Sequence, residues 1–195
     1  MNYLAHAYLS FNEPEILAGN MISDFVKGKK KFNYSDGIQK GIALHRAIDT
    51  FTDNHPSTKK AKEFFKKEYR LYSGAFVDVV FDHFLAKDKN EFSRNETLQS
   101  FSKKTYSILE SQIDILPERF QYIFPYMKEQ DWLYNYQFRE MIAKSFTGLA
   151  RRAVYLTEST KAFDIFNLHY EALQLCYDEF FPQLKTFSVH HLRSL

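Results

Sequence analysis

The chain has 195 residues, 45% of them hydrophobic and 17% aromatic, with 20 Phe and 13 Tyr. That content supports one sizeable core and excludes an intrinsically disordered chain. Lys and Arg number 26 against 24 Asp and Glu, and the resulting net charge of +2 leaves no electrostatic footprint for nucleic acid.

The opening "MNYLAHAYLSF" is a short apolar segment that lacks the cationic start and long apolar run of a secretion signal. No run of ~18 apolar residues occurs anywhere, so a cytoplasmic protein without membrane insertion is expected. "NEPEILAGNMISDFVKG" reads as a helix with Pro14 in its first turn and Gly28 past its end. "SDGIQKGIALHRAIDTFTDNHP" is predicted to be capped by Ser35 or Asp36 and stopped by Pro56, and "STKKAKEFFKKEYRLYSG" to start at Ser57 or Thr58. "SGAFVDVVFDHFLAKD" (73–88) is apolar on nearly every side, the mark of a helix buried in a core. Four further helices are predicted around 95–113, 118–128, 131–150 and 159–181. Cys176, the single cysteine, lies in the apolar pattern of the last one and reads as a buried, inert thiol. The tail "SVHHLRSL" reads as a frayed end with His190 and His191 in solvent. With only 6 Gly and 5 Pro and no Asn-Gly hairpin signal, the prediction is an all-α, single-domain bundle of about eight helices over 1–195.

The chemistry sits where polar groups interrupt apolar faces. At about 100° per residue, Ile38, Ile42, His45, Asp49 and Thr52 share one face, with Arg46 and Asp53 at its margin. His45 and Asp49 are i,i+4 partners that can reach one cation, or form a plain helical pair. In the buried helix, Asp78 and Asp82 are one turn apart and His83 follows 100° further round. A buried carboxylate must be neutralised, paired or bound to metal. A salt-bridge network with Arg46 or Arg70 is one answer, and a divalent metal site is the other. Asp24, with Asn20 one turn before it, and His6 among apolar neighbours are further candidates, although a lone core histidine is commonly a hydrogen-bond partner. Imidazole and carboxylate without thiolate suit Mn²⁺, Mg²⁺ or Fe²⁺. Such a centre acidifies bound water and polarises phosphoryl oxygens, so phosphoester hydrolysis is the natural reaction class. The chain contains no glycine-rich phosphate loop, no HExxH and no GxSxG.

Four ordered segments, "MNYLAHAYLS" (1–10), "GNMISDFVKG" (19–28), "GIALHRAIDTFTDNHP" (41–56) and "DVVFDHFLA" (78–86), together resemble the acyl carrier protein phosphodiesterases. "TGLARR" (147–152) and "HYEAL" (169–173) resemble them more loosely. The resemblance implies an all-helical protein distantly related to HD-domain metal phosphohydrolases. It implies hydrolysis of the phosphodiester joining 4′-phosphopantetheine to the serine of holo-acyl carrier protein, with Mn²⁺ as the metal. By motif, the site would comprise Asp24, His45, Asp49, Asp82 and His83, with Asn20, Arg46 and Asp78 close by. HD enzymes carry a His-Asp dipeptide, whereas this chain has Asp82–His83 in reverse order.

On this reading His45, Asp82, His83 and Asp24, with His6 as a further candidate, hold one or two ions. Asp49 completes the shell or orients His45, Arg46 offsets phosphoryl charge, and a nearby acid such as Asp78 protonates the departing serine oxygen. An acyl carrier protein is strongly acidic, so Lys27, Lys29 and Lys30 in "KGKKK" and the lysines of "KKAKEFFKK" are candidate docking groups, or simply solvated faces. Arg151 and Arg152 would lie near phosphate, or serve the helix C-terminus. His169 reads as a core histidine. Two other functions share much of this pattern: a metal phosphohydrolase of nucleotides or another small phosphoester, and a non-catalytic helical binding protein with a structural ion-pair cluster.

Overall fold

The structure, a computed structural model, describes residues 1–93, 96–152 and 159–195. Eleven α-helices and no strand are found among the described residues. They are α1 (Tyr3–Tyr8), α2 (Pro14–Ile22), α3 (Asp36–Asn54), α4 (Pro56–Tyr69), α5 (Ser73–Lys87), α6 (Leu98–Glu110), α7 (Glu118–Glu129), α8 (Trp132–Asn135), α9 (Arg139–Arg152), α10 (Thr160–Leu168) and α11 (Tyr170–Ser194). No helix among the described residues is long and apolar enough to cross a membrane.

The predicted all-α class is what the chain adopts, with more breaks than the periodicity showed. Residues 1–10 are not merely an apolar segment but hold α1, whose six residues are too few to be stable alone. Its N-terminal amides, which have no partner within the helix, are met from across the core by the Asp82 carboxylate. The helix predicted to run to Gly28 stops at Ile22 and passes into a 3₁₀ turn, Ser23–Phe25. Pro56 does not simply end α3. It is the first residue of α4, and the cap is His55, whose Nδ1 accepts from the Ser57 N–H at 3.2 Å, rather than Ser57 or Thr58. Asp131, with φ 42°, caps α8 from the left-handed region, so the predicted helix over 131–150 is two.

The tail does not fray. α11 continues to Ser194 because Tyr177, Phe180, Phe181, Leu184 and Ser188 keep one face on the core at helical spacing, and His191 stacks on Phe187. Cys176 is buried beside them, and burial pushes its thiol up. α5 runs through the middle of the bundle, with Phe76, Val77, Val80, Phe81 and Leu85 fully enclosed on different sides. It packs on α1, α4, α9 and α11, so its polar residues meet different partners around its circumference.

Candidate metal centre

Two glycines decide how closely α2 and α3 meet. A Cβ on Gly19 would lie 2.1 Å from the Ile38 carbonyl oxygen, and one on Gly41 would lie 2.3 Å from that of Ile16. The helices therefore run backbone against backbone. Asn20 follows Gly19, and His45 stands one turn beyond Gly41, so the Asn20 carbonyl oxygen comes within 2.7 Å of His45 Nδ1.

That contact fixes a tautomer. A carbonyl only accepts, so His45 Nδ1 carries a proton, and in the neutral ring Nε2 has the lone pair. Asn20 does the same for a second imidazole. Its amide nitrogen donates to the His6 carbonyl at 2.8 Å and to Ser10 Oγ at 3.1 Å. Its Oδ1 is thereby the atom facing His6 Nδ1, at 2.8 Å. His6 Nδ1 must donate, and His6 Nε2 is also bare. The two rings stack with centroids 3.8 Å apart and planes 13° from parallel.

Both Nε2 atoms meet carboxylates. Asp49 places Oδ2 3.1 Å from His45 Nε2 and Oδ1 3.2 Å from His6 Nε2, while Asp24 Oδ1 lies 3.3 Å from His45 Nε2. Lone pairs aimed at anionic oxygens repel unless a proton or cation lies between them. His45 Nε2 is buried and, despite those short distances, makes no aligned hydrogen bond. Burial opposes a charge on His45, but Asp24 and Asp49 outweigh it and raise its pKa to about 9. Burial, then the neighbouring His45, push His6 down to about 4. Against its own burial, Asp49 is held below the usual carboxylate range by His45 and His6, and contact with His45 lowers Asp24 likewise. The donor set is two imidazole nitrogens and two carboxylates. His6, His45 and Asp49 bring one ligand atom each within 4.8 Å of one another. Asp24 completes the set from the solvent side, with 79% of its side chain exposed. An oxygen–nitrogen set of this kind, with an orphaned buried nitrogen at its centre, fits a divalent cation.

Asp78 stands at the margin of this cluster. Its Oδ1 is 3.0 Å from the Met1 nitrogen, which is itself 3.7 Å from Asp49 Oδ1, and burial raises its carboxyl. Arg46 lies exposed at the opposite margin and donates to the Val26 carbonyl at 3.0 Å. Lys27, Lys29 and Lys30 follow Asp24 directly and are exposed.

Two expected ligands are elsewhere. Asp82 is fully buried and accepts from the N–H groups of Asn2, Leu4 and Ala5 at 3.2, 2.7 and 3.4 Å, so it caps α1. His83, 100° further round α5, points away from the cluster. Its Nδ1 donates to the Tyr136 carbonyl at 2.7 Å, and its Nε2 faces the Tyr170 hydroxyl at 3.0 Å. Neither nitrogen has capacity left for an ion. Asn20, expected close by the site, is wholly enclosed and holds the two histidines. Arg151 is exposed near the end of α9, and the side chain of Arg152 lies outside the described residues. The part sequence reasoning missed is Asn20 as the common orienting group. Its only signal was a polar residue beside a helical glycine in an apolar stretch.

Comparison with known proteins follows the same residues. The family profile described as acyl carrier protein phosphodiesterase matches residues 1–184. Proteins of that name from Yersinia pestis and Pectobacterium atrosepticum are 33% and 32% identical to this chain over 190 and 184 residues. These alignments cover 97% and 94% of this chain and 98% and 95% of the relatives. A third, from Photorhabdus laumondii, is 31% identical over 94% of this chain and 93% of its own length. No solved structure matches. With nearly the whole chain matched, and with His6, Asp24, His45 and Asp49 all inside the matched span, the chain belongs to the acyl carrier protein phosphodiesterase family.

Proposed function

We propose that the chain hydrolyses the phosphodiester between 4′-phosphopantetheine and a serine of holo-acyl carrier protein, using a divalent cation, Mn²⁺ foremost, held by His6, His45, Asp49 and Asp24. The observation that carries the reading is the buried, unbonded Nε2 of His45, set between two carboxylates beside the Nε2 of His6, which lies 3.2 Å from Asp49 Oδ1. A cation bound there supplies Lewis acidity, which polarises a phosphoryl oxygen and lowers the pKa of water.

The chain's own groups do the rest. Asn20 holds both imidazoles in the ligating tautomer, so no ring rotation is needed as the ion enters. Water adds to phosphorus, the bond from phosphorus to the serine oxygen breaks, and the water proton ends on that oxygen. Asp78 is the carboxyl at the cluster's edge that no ion needs, and it is assigned delivery of that proton. Arg46, anchored on the Val26 carbonyl, offsets charge on the phosphoryl oxygens. The exposed Lys27, Lys29 and Lys30 attract the acidic carrier to the Asp24 side, which calls for a KM that rises with ionic strength.

The test is incubation of purified protein with holo-carrier and Mn²⁺, followed by mass measurement. Loss of the prosthetic group, abolished by His45→Ala, is expected. An unchanged carrier mass, or full activity in the His45→Ala chain, overturns the assignment.

A further inference from the structure

A phosphodiester of this kind has two unlike arms: a serine in a folded acidic protein, and a slender chain of methylenes and amides. The candidate centre has two unlike flanks. Its Asp24 side opens onto the exposed Lys27, Lys29 and Lys30. On its Asp78 side, a cleft of about 170 Å³ lies between the start of α1, α5, α8 and α9. Cleft and centre are neighbours along two helices. Val79 follows Asp78, Tyr3 stands one turn before His6 in α1, and both line the cleft.

The cleft is narrower than the ~300–1,000 Å³ typical of drug-sized sites, so it admits a chain rather than a fused ring system. Tyr3 and Trp132, with ring centroids 6.2 Å apart, give it an aromatic wall. Its polar groups are amides. Asn135 uses its nitrogen on the Gln130 carbonyl at 2.6 Å, and Gln130 uses its Oε1 on the Trp132 indole N–H at 3.1 Å. Among the described residues, the Asn135 oxygen and the Gln130 amide nitrogen have no protein partner. One acceptor and one donor are therefore available to an amide group. Met141, Ser145 and Gly148 face the cleft from α9, and a Cβ added at Gly148 would meet nothing within 4 Å. A glycine in a helix interior is unfavourable relative to alanine, and here no close packing requires one.

We infer that this cleft receives the pantetheine arm of the substrate while the carrier docks on the lysine side, with Gly148 keeping the channel open. The inference rests on the phosphodiesterase reading of the centre. Asn135 and Gln130 would bond the arm's amides, and the Tyr3–Trp132 wall would cover its methyl and methylene groups.

The experiment fills the channel and labels it. Gly148→Leu in the full chain is expected to keep the thermal midpoint and Mn²⁺ affinity of the parent, because the new side chain enters open space. Its dissociation constant for free pantetheine should weaken at least tenfold, and its KM for holo-carrier should rise more than its kcat falls. Should that variant unfold, Gly148→Ala fills less space and is expected to weaken pantetheine by a smaller factor. Independently, a pantetheine bearing a photoreactive diazirine should label the parent chain at the cleft lining, that is at Asn2, Tyr3, Val79 or within residues 130–149. A parent that cleaves holo-carrier while the Gly148→Leu chain binds pantetheine unchanged overturns the cleft assignment alone. Labelling confined to other segments does the same. A parent that binds and is labelled in the cleft, yet never releases the prosthetic group, sinks the phosphodiesterase reading and leaves the cleft as an arm-binding site.

Discussion

Asn20→Ala isolates the argument about tautomers. Asn20 is wholly buried, and its side chain makes three hydrogen bonds, to His6 Nδ1, the His6 carbonyl and Ser10 Oγ. Not all of these are lost outright. Ser10 Oγ still donates to the His6 carbonyl at 2.8 Å, so the fully stranded group is the His6 Nδ1–H. Stranding one buried donor costs about 1–3 kcal/mol, and the small cavity adds about 1 kcal/mol, so a loss of about 2–4 kcal/mol is expected. His45 keeps its partner, because the backbone carbonyl of residue 20 survives the substitution. His6 does not. Free to carry its proton on Nε2, it no longer presents a lone pair to the ion. Removing a group that orients a metal-binding histidine typically lowers affinity 10–100-fold. Calorimetric titration with Mn²⁺ at a temperature well below the unfolding transition measures that loss. Unchanged affinity in a folded variant would show that Asn20 does not set the His6 tautomer. A parent chain that binds no divalent ion would refute the metal centre itself.

Three further outcomes follow from the same geometry. His83→Ala is expected to cost about 3 kcal/mol, since it removes the hydrogen bond to the Tyr136 carbonyl and opens a cavity beside Phe166. Mn²⁺ affinity should be retained, and its loss in a folded variant would return His83 to the ligand set. Gly41→Ala pushes a methyl into the Ile16 carbonyl oxygen and the Asn20 nitrogen, 2.3 and 2.9 Å from its ideal position. Destabilisation of about 3 kcal/mol or more, seen in urea unfolding, is expected, and a neutral effect would contradict the backbone contact of α2 and α3. Mn²⁺ affinity should rise close to tenfold per pH unit up to about 9, because an entering ion displaces the proton of His45. His6, neutral above about 4, adds nothing to that slope. In the ion-free protein the His45 pKa is raised above its ordinary 6.5. It therefore contributes stability in full below pH ~6.5 and loses it as the pH climbs through about 9. A titration showing flat Mn²⁺ affinity between pH 6.5 and 8.5 would disprove the proton–ion competition.

Helix type and sequence order were legible because each long segment repeats its apolar residues at one period, and α3 and α6 show this plainly. Boundaries were less so. Pro56 reads as a stop, yet a proline at the first helical position is also a start, and only the His55 side chain bonded to Ser57 decides between them. The tail was misread for want of context: Leu184 and Ser188 are ordinary residues until a core lies beneath them. The site divides along the same line. His45 and Asp49 were legible because α3 has one wet face and one dry face, and i,i+4 spacing on such a helix fixes direction. α5 gives no such direction. It is buried all round, so the rule that an enclosed acid must find a partner held for Asp82, but nothing in the sequence said that the partner was the start of α1. A rotation of 100° then took His83 to Tyr136 and Tyr170.

On the proposed metal-dependent reading, charge favours a cation here over the proton His45 otherwise takes. Asp24 and Asp49 are both held ionised, contributing two negative charges, while His6 is neutral and the Met1 ammonium lies closer to Asp78, at 3.0 Å, than to Asp49, at 3.7 Å. A protonated His45 returns only one positive charge, and its Nε2 is not aligned on either carboxylate. A divalent ion on neutral His45 returns two, and an ion without a fixed bond direction can satisfy both carboxylates and both nitrogens at once. The bundle interior makes that difference count, because opposite charges attract more strongly where water is scarce. Asp24 is exposed and Asp49 partly so, which leaves one side accessible, as the proposed reaction at a bound ion would require. Asn20 is then the device that makes the exchange possible. By holding the Nδ1 protons of both rings in place, it leaves Nε2 as the one atom over which proton and cation compete.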